Sequence, residues 1–141
     1  MNIGFDLDGV VCGYLAWASN LIIPESIKRL FFLEAPLQLN PKDFASPDDK
    51  IIIITARPTI FSDVTKAWLE FHNIECDIIF IGNKRTELSP ELAAIKKASV
   101  INSKNIDVFF EDNPTIVKEL RKRTHAKIIY VRSHPSYEEW K

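Results

Sequence analysis

The sequence predicts an α/β domain: a Rossmann-like parallel β-sheet sandwiched by helices, with a small cap insert after the first strand. Three observations carry that expectation. Five short apolar runs of β type recur along the 141 residues. Helical spacing fills the gaps between most of them. Runs such as IIIIT, DIIFI and DVFFE are also near-continuously apolar rather than alternating, as strands buried on both faces are. Strands alternating with helices imply a parallel sheet covered on both sides.

In chain order, strands are expected at residues 2–6, 51–55, 77–81, 107–111 and 127–131. Helices are expected at 60–72, 90–103 and 114–123. Pro90 and Pro114 sit near the starts of the last two helices, where a missing N–H costs nothing. Ser89 is placed to cap the helix that follows it. Residues 13–50 break the rhythm with four of the eight prolines. One or two helices followed by an irregular, proline-punctuated segment are expected there. The excursion is long for a plain crossover, so it reads as a small cap inserted into a single domain spanning 1–141.

The totals bound the function. The length suits one domain with a real core, and 46% hydrophobic and 26% charged residues are ordinary globular values. A net charge of -1 argues against non-specific nucleic-acid binding as the main activity. Cys12 and Cys76 are too few for a disulfide scaffold and lack zinc spacing, so they read as reduced core or near-site thiols in a cytoplasmic protein. Asp6 and Asp8 interrupt any apolar leader, and the longest apolar-leaning stretch, residues 10–23, is too short to span a bilayer. A soluble protein is expected, with no membrane partner.

In an open parallel sheet, ligands bind beyond the carboxyl ends of the strands. Asp6 and Asp8 follow the first predicted strand, Thr55-Ala56-Arg57 close the second, and Gly82-Asn83-Lys84-Arg85 follow the third. Glu111-Asp112-Asn113 end the fourth, and Arg132-Ser133-His134 the fifth. Four carboxylates around one point need a cation to ionise together. Oxygen ligands with no histidine or cysteine among them favour Mg²⁺, which shares its shell with phosphate. An aspartate nucleophile attacking phosphorus fits that set.

Taken in order, DLDGV, IIIITARP, Lys97 and FFEDN resemble the four motifs of the haloacid dehalogenase superfamily of aspartate-nucleophile phosphatases. The stretch ITARP…TKAWLEFHNIECDIIF is similar to small 5'-nucleotidase-like members with a reduced cap. The resemblance spans nearly the whole chain. It implies Asp6 as the nucleophile that becomes a phospho-aspartate, and Asp8 as the acid and base that serves the leaving oxygen and then water. It also implies that Thr55 hydrogen-bonds the phosphoryl group, with Ala56 and Arg57 beside it on the substrate. The implied ligands of Mg²⁺ are Asp6, Asp8 through its backbone carbonyl, and Asp112, with Glu111 holding metal-bound water. Some relatives carry a further acid four or five positions after this aspartate, where Ile116 and Val117 stand here. The phosphate-binding lysine is assigned to Lys97, with Lys96 and Lys84 as alternatives.

Blander readings stand beside these. Asp8-Gly9 is also good turn chemistry. Arg57 is either a solvated charge, a grip on phosphate, or a partner for an acid of the cap. His72 and His125 read as structural or surface residues, and His134 as a residue near the site. Trp17, Phe31 and Phe32 read as cap core or as a homodimer contact. The expected function is a Mg²⁺-dependent phosphomonoester hydrolase acting on a nucleotide or another small phosphorylated metabolite. The alternatives are a phosphatase of nucleic-acid ends, where nucleic acid enters only as a substrate terminus, and a non-catalytic binding or regulatory module.

Overall fold

The computed structural model of the chain describes residues 1–13 and 24–132. Five strands, β1 (Asn2–Phe5), β2 (Lys50–Thr55), β3 (Asp77–Phe80), β4 (Val108–Glu111) and β5 (Lys127–Tyr130), form one sheet. Every pairing is parallel, and the order is β3-β2-β1-β4-β5. Helices α1 (Glu25–Glu34), α2 (Ser62–Phe71), α3 (Pro90–Ser103) and α4 (Pro114–Arg123) connect them. The expected α/β architecture is present, with every strand within a residue of its expected bounds. Among the described residues, no helix is long and apolar enough to cross a membrane.

The near-continuous apolar runs follow from burial on both faces. Ile52, Ile54, Phe109 and Ile128 pack on one side with Ala94 and Ile101 of α3 and Val117 and Leu120 of α4. Ile3, Phe5, Ile53 and Phe110 pack on the other with Trp68 and Leu69 of α2. Phe5 and Phe110 stack with ring centroids 4.7 Å apart. β3, at the edge, is only half-buried, as an edge strand must be.

Pro90 and Pro114 open their helices and Ser89 caps the first of them as anticipated, while the Asn113 cap was not singled out. Ser89 Oγ accepts the Leu92 N–H at the start of α3, and Asn113 Oδ1 accepts the Thr115 and Ile116 N–H groups at the start of α4. The helix expected from residue 60 instead begins with a 3₁₀ turn, Thr59–Phe61, before α2. The Asn83 and Lys84 carbonyls accept the Thr59 and Ile60 N–H groups at 2.9 and 3.0 Å, holding that turn on the loop after β3. Sequence spacing cannot register such a contact.

Of the 13–50 insert, residues 14–23, which include Trp17, lie outside the described residues, as do 133–141 with His134. The remainder holds α1 and a 3₁₀ turn at Pro41–Phe44. α1 buries no residue completely and lies on the start of α2. Arg29 of α1 reaches both Asp63 oxygens at 2.6 and 2.8 Å and the Ile60 carbonyl at 2.7 Å. Beyond α1, the Ala35 carbonyl accepts Trp68 Nε1 at 2.8 Å, and Gln38 Nε2 reaches the Gly9 carbonyl at 2.8 Å. The insert is thereby stitched to both α2 and the turn after β1.

Candidate active site

Strand order decides which strand ends meet. β1 is central, with β2 and β4 on either side. Their carboxyl ends bring Asp6, Asp8, Thr55, Ala56, Arg57, Glu111, Asp112 and Asn113 around one cavity of about 390 Å³, with Lys97 reaching in from α3. The ends of β3 and β5 lie two strand spacings, about 10 Å, from β1. Lys84, Arg85 and Arg132 are accordingly not among the lining residues. Among the described residues, three of the five expected strand ends build the site, Ser133 and His134 of the fifth lying outside them. A wider groove of about 920 Å³ lies at the opposite end of β2 and β3, lined by residues such as Asp49, Asn73 and Cys76. Its acids, Asp49, Glu70 and Glu75, are not among the described groups close enough together to hold a metal ion.

Lys97 sits on the buried face of α3, in line with Ala93, Ala94, Ala98 and Ile101, whereas Lys96 is one position round and exposed. The Lys97 ammonium contacts Asp6 Oδ1 at 3.1 Å and Glu111 Oε1 at 2.6 Å. Lys84 is exposed on the loop after β3. Among the three lysines, Lys97 is the one against Asp6. Burial, then the neighbouring Glu111, pushes the Asp6 carboxyl well above the usual range despite Lys97. Burial works against the charge on Lys97, but Asp6 and Glu111 outweigh it and raise its pKa. Glu111 is buried too, yet Lys97 and its hydrogen bonds hold it below the usual range. Glu111 Oε2 also accepts the Asp112 and Asn113 N–H groups at 2.9 and 3.4 Å. Both its oxygens are engaged, so Glu111 anchors Lys97 and its own loop. Ligand oxygens of Asp6, Glu111 and Asp112 lie within 4.8 Å of one another, a set able to hold a metal ion. Ile116 and Val117, where some relatives place another acid, face the core.

Arg57 is not the solvated charge of one sequence reading. It is 4% exposed. Its Nε and Nη2 contact Asp8 Oδ2 and Oδ1 at 3.0 and 2.7 Å, its Nη1 donates to Thr65 Oγ1 at 2.9 Å, and Nη2 also meets Cys12 Sγ at 3.3 Å. It pairs with an acid, but with Asp8 of the turn after β1 rather than one from the insert, and it lines the same cavity as Asp6. Burial opposes its charge, but Asp8 outweighs that and raises its pKa. Thr55 is buried, and its Oγ1 accepts the Arg57 N–H at 3.1 Å, leaving the hydroxyl hydrogen free to donate. Gly82 lets the chain pass this loop: a Cβ there would lie 2.4 and 2.5 Å from the Ala56 and Arg57 carbonyl oxygens. Gly9 adopts φ 85°, so the turn chemistry at Asp8-Gly9 is real and aims the second acid rather than replacing its role in the site.

Two site residues escaped the sequence reading. Glu87, three residues before α3, lines the cavity, and partial burial and the charge on Asp8 raise its pKa. Its signal was an acid in a loop beyond a strand end. Thr65 braces Arg57 and donates to the Phe61 carbonyl at 2.8 Å. A threonine inside a helix gives no sequence signal for that. His72 packs against Trp68 and Phe71, and His125 is exposed; neither lines the cavity.

Three comparisons bear on this architecture. No family model matches the chain. A curated relative, the putative nucleotidase YqfW of Bacillus subtilis (strain 168), is 28% identical over 109 residues, covering 75% of this chain and 51% of its own length. The chain thus spans about half of that relative. Among solved structures, the HAD domain of the effector protein Lem4 from Legionella pneumophila matches 99% of this chain and 88% of its own, with a TM-score of 0.56 and 19% identity. The chain has the haloacid dehalogenase fold. A chain of the Pnkp1/Rnl/Hen1 RNA repair complex matches 92% of it, over 42% of that chain, with a TM-score of 0.67 and 16% identity. Within this haloacid dehalogenase fold, the cavity at the ends of β1, β2 and β4 holds the residues of all four sequence motifs.

Proposed function

We propose that the chain is a Mg²⁺-dependent phosphomonoester hydrolase working through a phospho-aspartate on Asp6. The observation that carries this is the convergence of Asp6, the Lys97 ammonium, Thr55, Arg57-bound Asp8 and Asp112 on one cavity. An all-oxygen set with one carboxyl pushed upward by burial and by a neighbouring acid suits a hard divalent cation. Asp6 and Asp112 would hold Mg²⁺, together with the Asp8 carbonyl, with Glu111 behind them. When bound, Mg²⁺ would offset the repulsion between the nucleophile and the phosphate.

In the first step an Asp6 carboxylate oxygen attacks phosphorus, the bond to the leaving oxygen breaks, and Asp8 gives that oxygen its proton. In the second, Asp8 takes a proton from water as the water oxygen attacks phosphorus. Asp6 is released as a carboxylate, with inorganic phosphate as product. Lys97 holds Asp6 and the incoming phosphoryl group, Thr55 donates to a phosphoryl oxygen, and Arg57 keeps the Asp8 carboxylate aligned. Ala56 lines the phosphate end. Residues 13–50 act as the cap of a single domain and set which leaving groups enter.

A nucleotide or another small phosphorylated metabolite is the substrate class, in keeping with the nucleotidase named as a relative. A phosphorylated nucleic-acid end is the second reading, favoured by the likeness to a chain of an RNA repair complex. Hydrolysis of a chromogenic aryl phosphate, dependent on Mg²⁺ and on Asp6, tests the enzyme reading against a non-catalytic module. Nucleoside monophosphates, sugar phosphates and phosphorylated oligonucleotides, compared by kcat/KM, then separate the substrate readings.

A further inference from the structure

Arg57 is a flat cation, and its surroundings divide into an edge and a face. Its edge is filled by Asp8, Thr65 and Cys12. Its face is covered by the ring of Phe32, 4.0 Å from guanidinium carbon to ring centroid. Edge contacts fix the group within its plane. A ring against the face resists tilting out of the plane, and attracts the cation as well. Phe32 belongs to α1, a helix that buries no residue completely, so the ring's place depends on how α1 is docked. That docking is specific. Phe32 meets Phe61 edge-on at 4.9 Å, and Arg29 pairs with Asp63 while lying 5.6 Å from the centre of the same Phe61 ring. The insert thus reaches Asp8 through one ring and one guanidinium.

We infer that Phe32 is a positioning residue: its ring holds the Arg57 guanidinium in the plane that aligns the Asp8 carboxylate, making proton delivery to the leaving group depend on the docked insert. This rests on the phosphatase reading and adds a role for the insert beyond admitting substrates. Phe32 touches no reacting atom. Loss of its ring face leaves the Asp6 nucleophile and Lys97 in place while blurring the aim of Asp8. The cost then falls on leaving groups that need a proton and spares those that do not.

The test compares Phe32→Leu, which keeps apolar bulk without a π-face, with Phe32→Tyr, which keeps the face. The assay is kcat/KM with Mg²⁺ on an alkyl phosphate and on 2,4-dinitrophenyl phosphate. This parameter reports formation of the phospho-enzyme rather than its hydrolysis. For Phe32→Leu we expect a loss of roughly tenfold on the alkyl ester and less than about twofold on the dinitrophenyl ester, with Phe32→Tyr near wild type on both. Phe32→Met replaces the leucine variant if that one fails to fold. Equal losses on both esters, or a tyrosine variant as impaired as the leucine variant, overturn the role of Phe32. The wild type run in parallel isolates the other failure: no hydrolysis of either ester removes the phosphatase reading itself, and this inference with it.

Discussion

Lys97→Met removes a cation that is 2% exposed and shared by two buried carboxyl groups. Methionine nearly matches the length of the aliphatic stem, so packing against α3 neighbours is retained and the loss is one of charge. Glu111, 0% exposed, then keeps its two backbone N–H bonds but loses its counter-ion, and Asp6, 8% exposed, faces Glu111 and Asp112 without one. Breaking a buried ion pair from one side costs about 3–5 kcal/mol. For a chain of this size that lowers Tm by about 10–20 °C. The assay is a thermal melt followed by circular dichroism at neutral pH, with a chelator present so that no divalent ion substitutes for the lysine. Adding Glu111→Gln to the variant removes one of the stranded charges while keeping hydrogen-bonding groups, and it should recover part of the lost Tm. A Lys97→Met protein melting within about 2 °C of wild type would refute the reasoning, since a stranded buried pair cannot be that cheap.

Asp6→Asn should abolish turnover of an aryl phosphate, while Asp8→Asn should lower kcat by roughly 10²–10⁴-fold, both checked by steady-state kinetics on folded protein. Millimolar Mg²⁺ should raise the Tm of the wild type by binding only the folded state, and Asp112→Ala should lose that rise in the same melting assay. Asp49 is held at about 2, below its ordinary 3.8, by the Ser46 N–H, with the N-terminal ammonium adding to it. A lowered carboxylate pKa contributes stability above its ordinary value and loses it as pH falls toward the shifted one. Between pH 4 and 2, melts of Asp49→Asn should therefore fall less steeply with acid than those of wild type.

The sheet was legible because its strands are buried on both faces, which writes apolar runs such as IIIIT directly into the sequence. Asp6, Thr55, Glu111 and Asp112 were legible for the same reason, each being a polar residue at the end of such a run. Lys97 was harder, with three lysines at usable distances. The buried stripe Ala93, Ala94, Ala98 and Ile101 singles it out once the face of α3 is known. Strand order was not legible, and it sets the described residues Lys84, Arg85 and Arg132 outside the lining of the site. Nor was the direction of Arg57, whose partners Asp8, Thr65 and Phe32 come from three separate stretches of chain. Glu87 escaped because it enters the cavity from a loop rather than from a strand end.

The central claim is that Asp6 forms a bond to phosphorus. The direct measurement is mass spectrometry of the Asp8→Asn variant, mixed with Mg²⁺ and an aryl phosphate, quenched in acid and digested. With Asp8 unable to activate water, hydrolysis of the intermediate slows and the phosphorylated form accumulates. The account predicts one added phosphoryl group on the peptide containing Asp6, stable in acid and removed by hydroxylamine. Phosphate release by the wild type with no adduct on that peptide, or with the phosphoryl group on another residue, would contradict it.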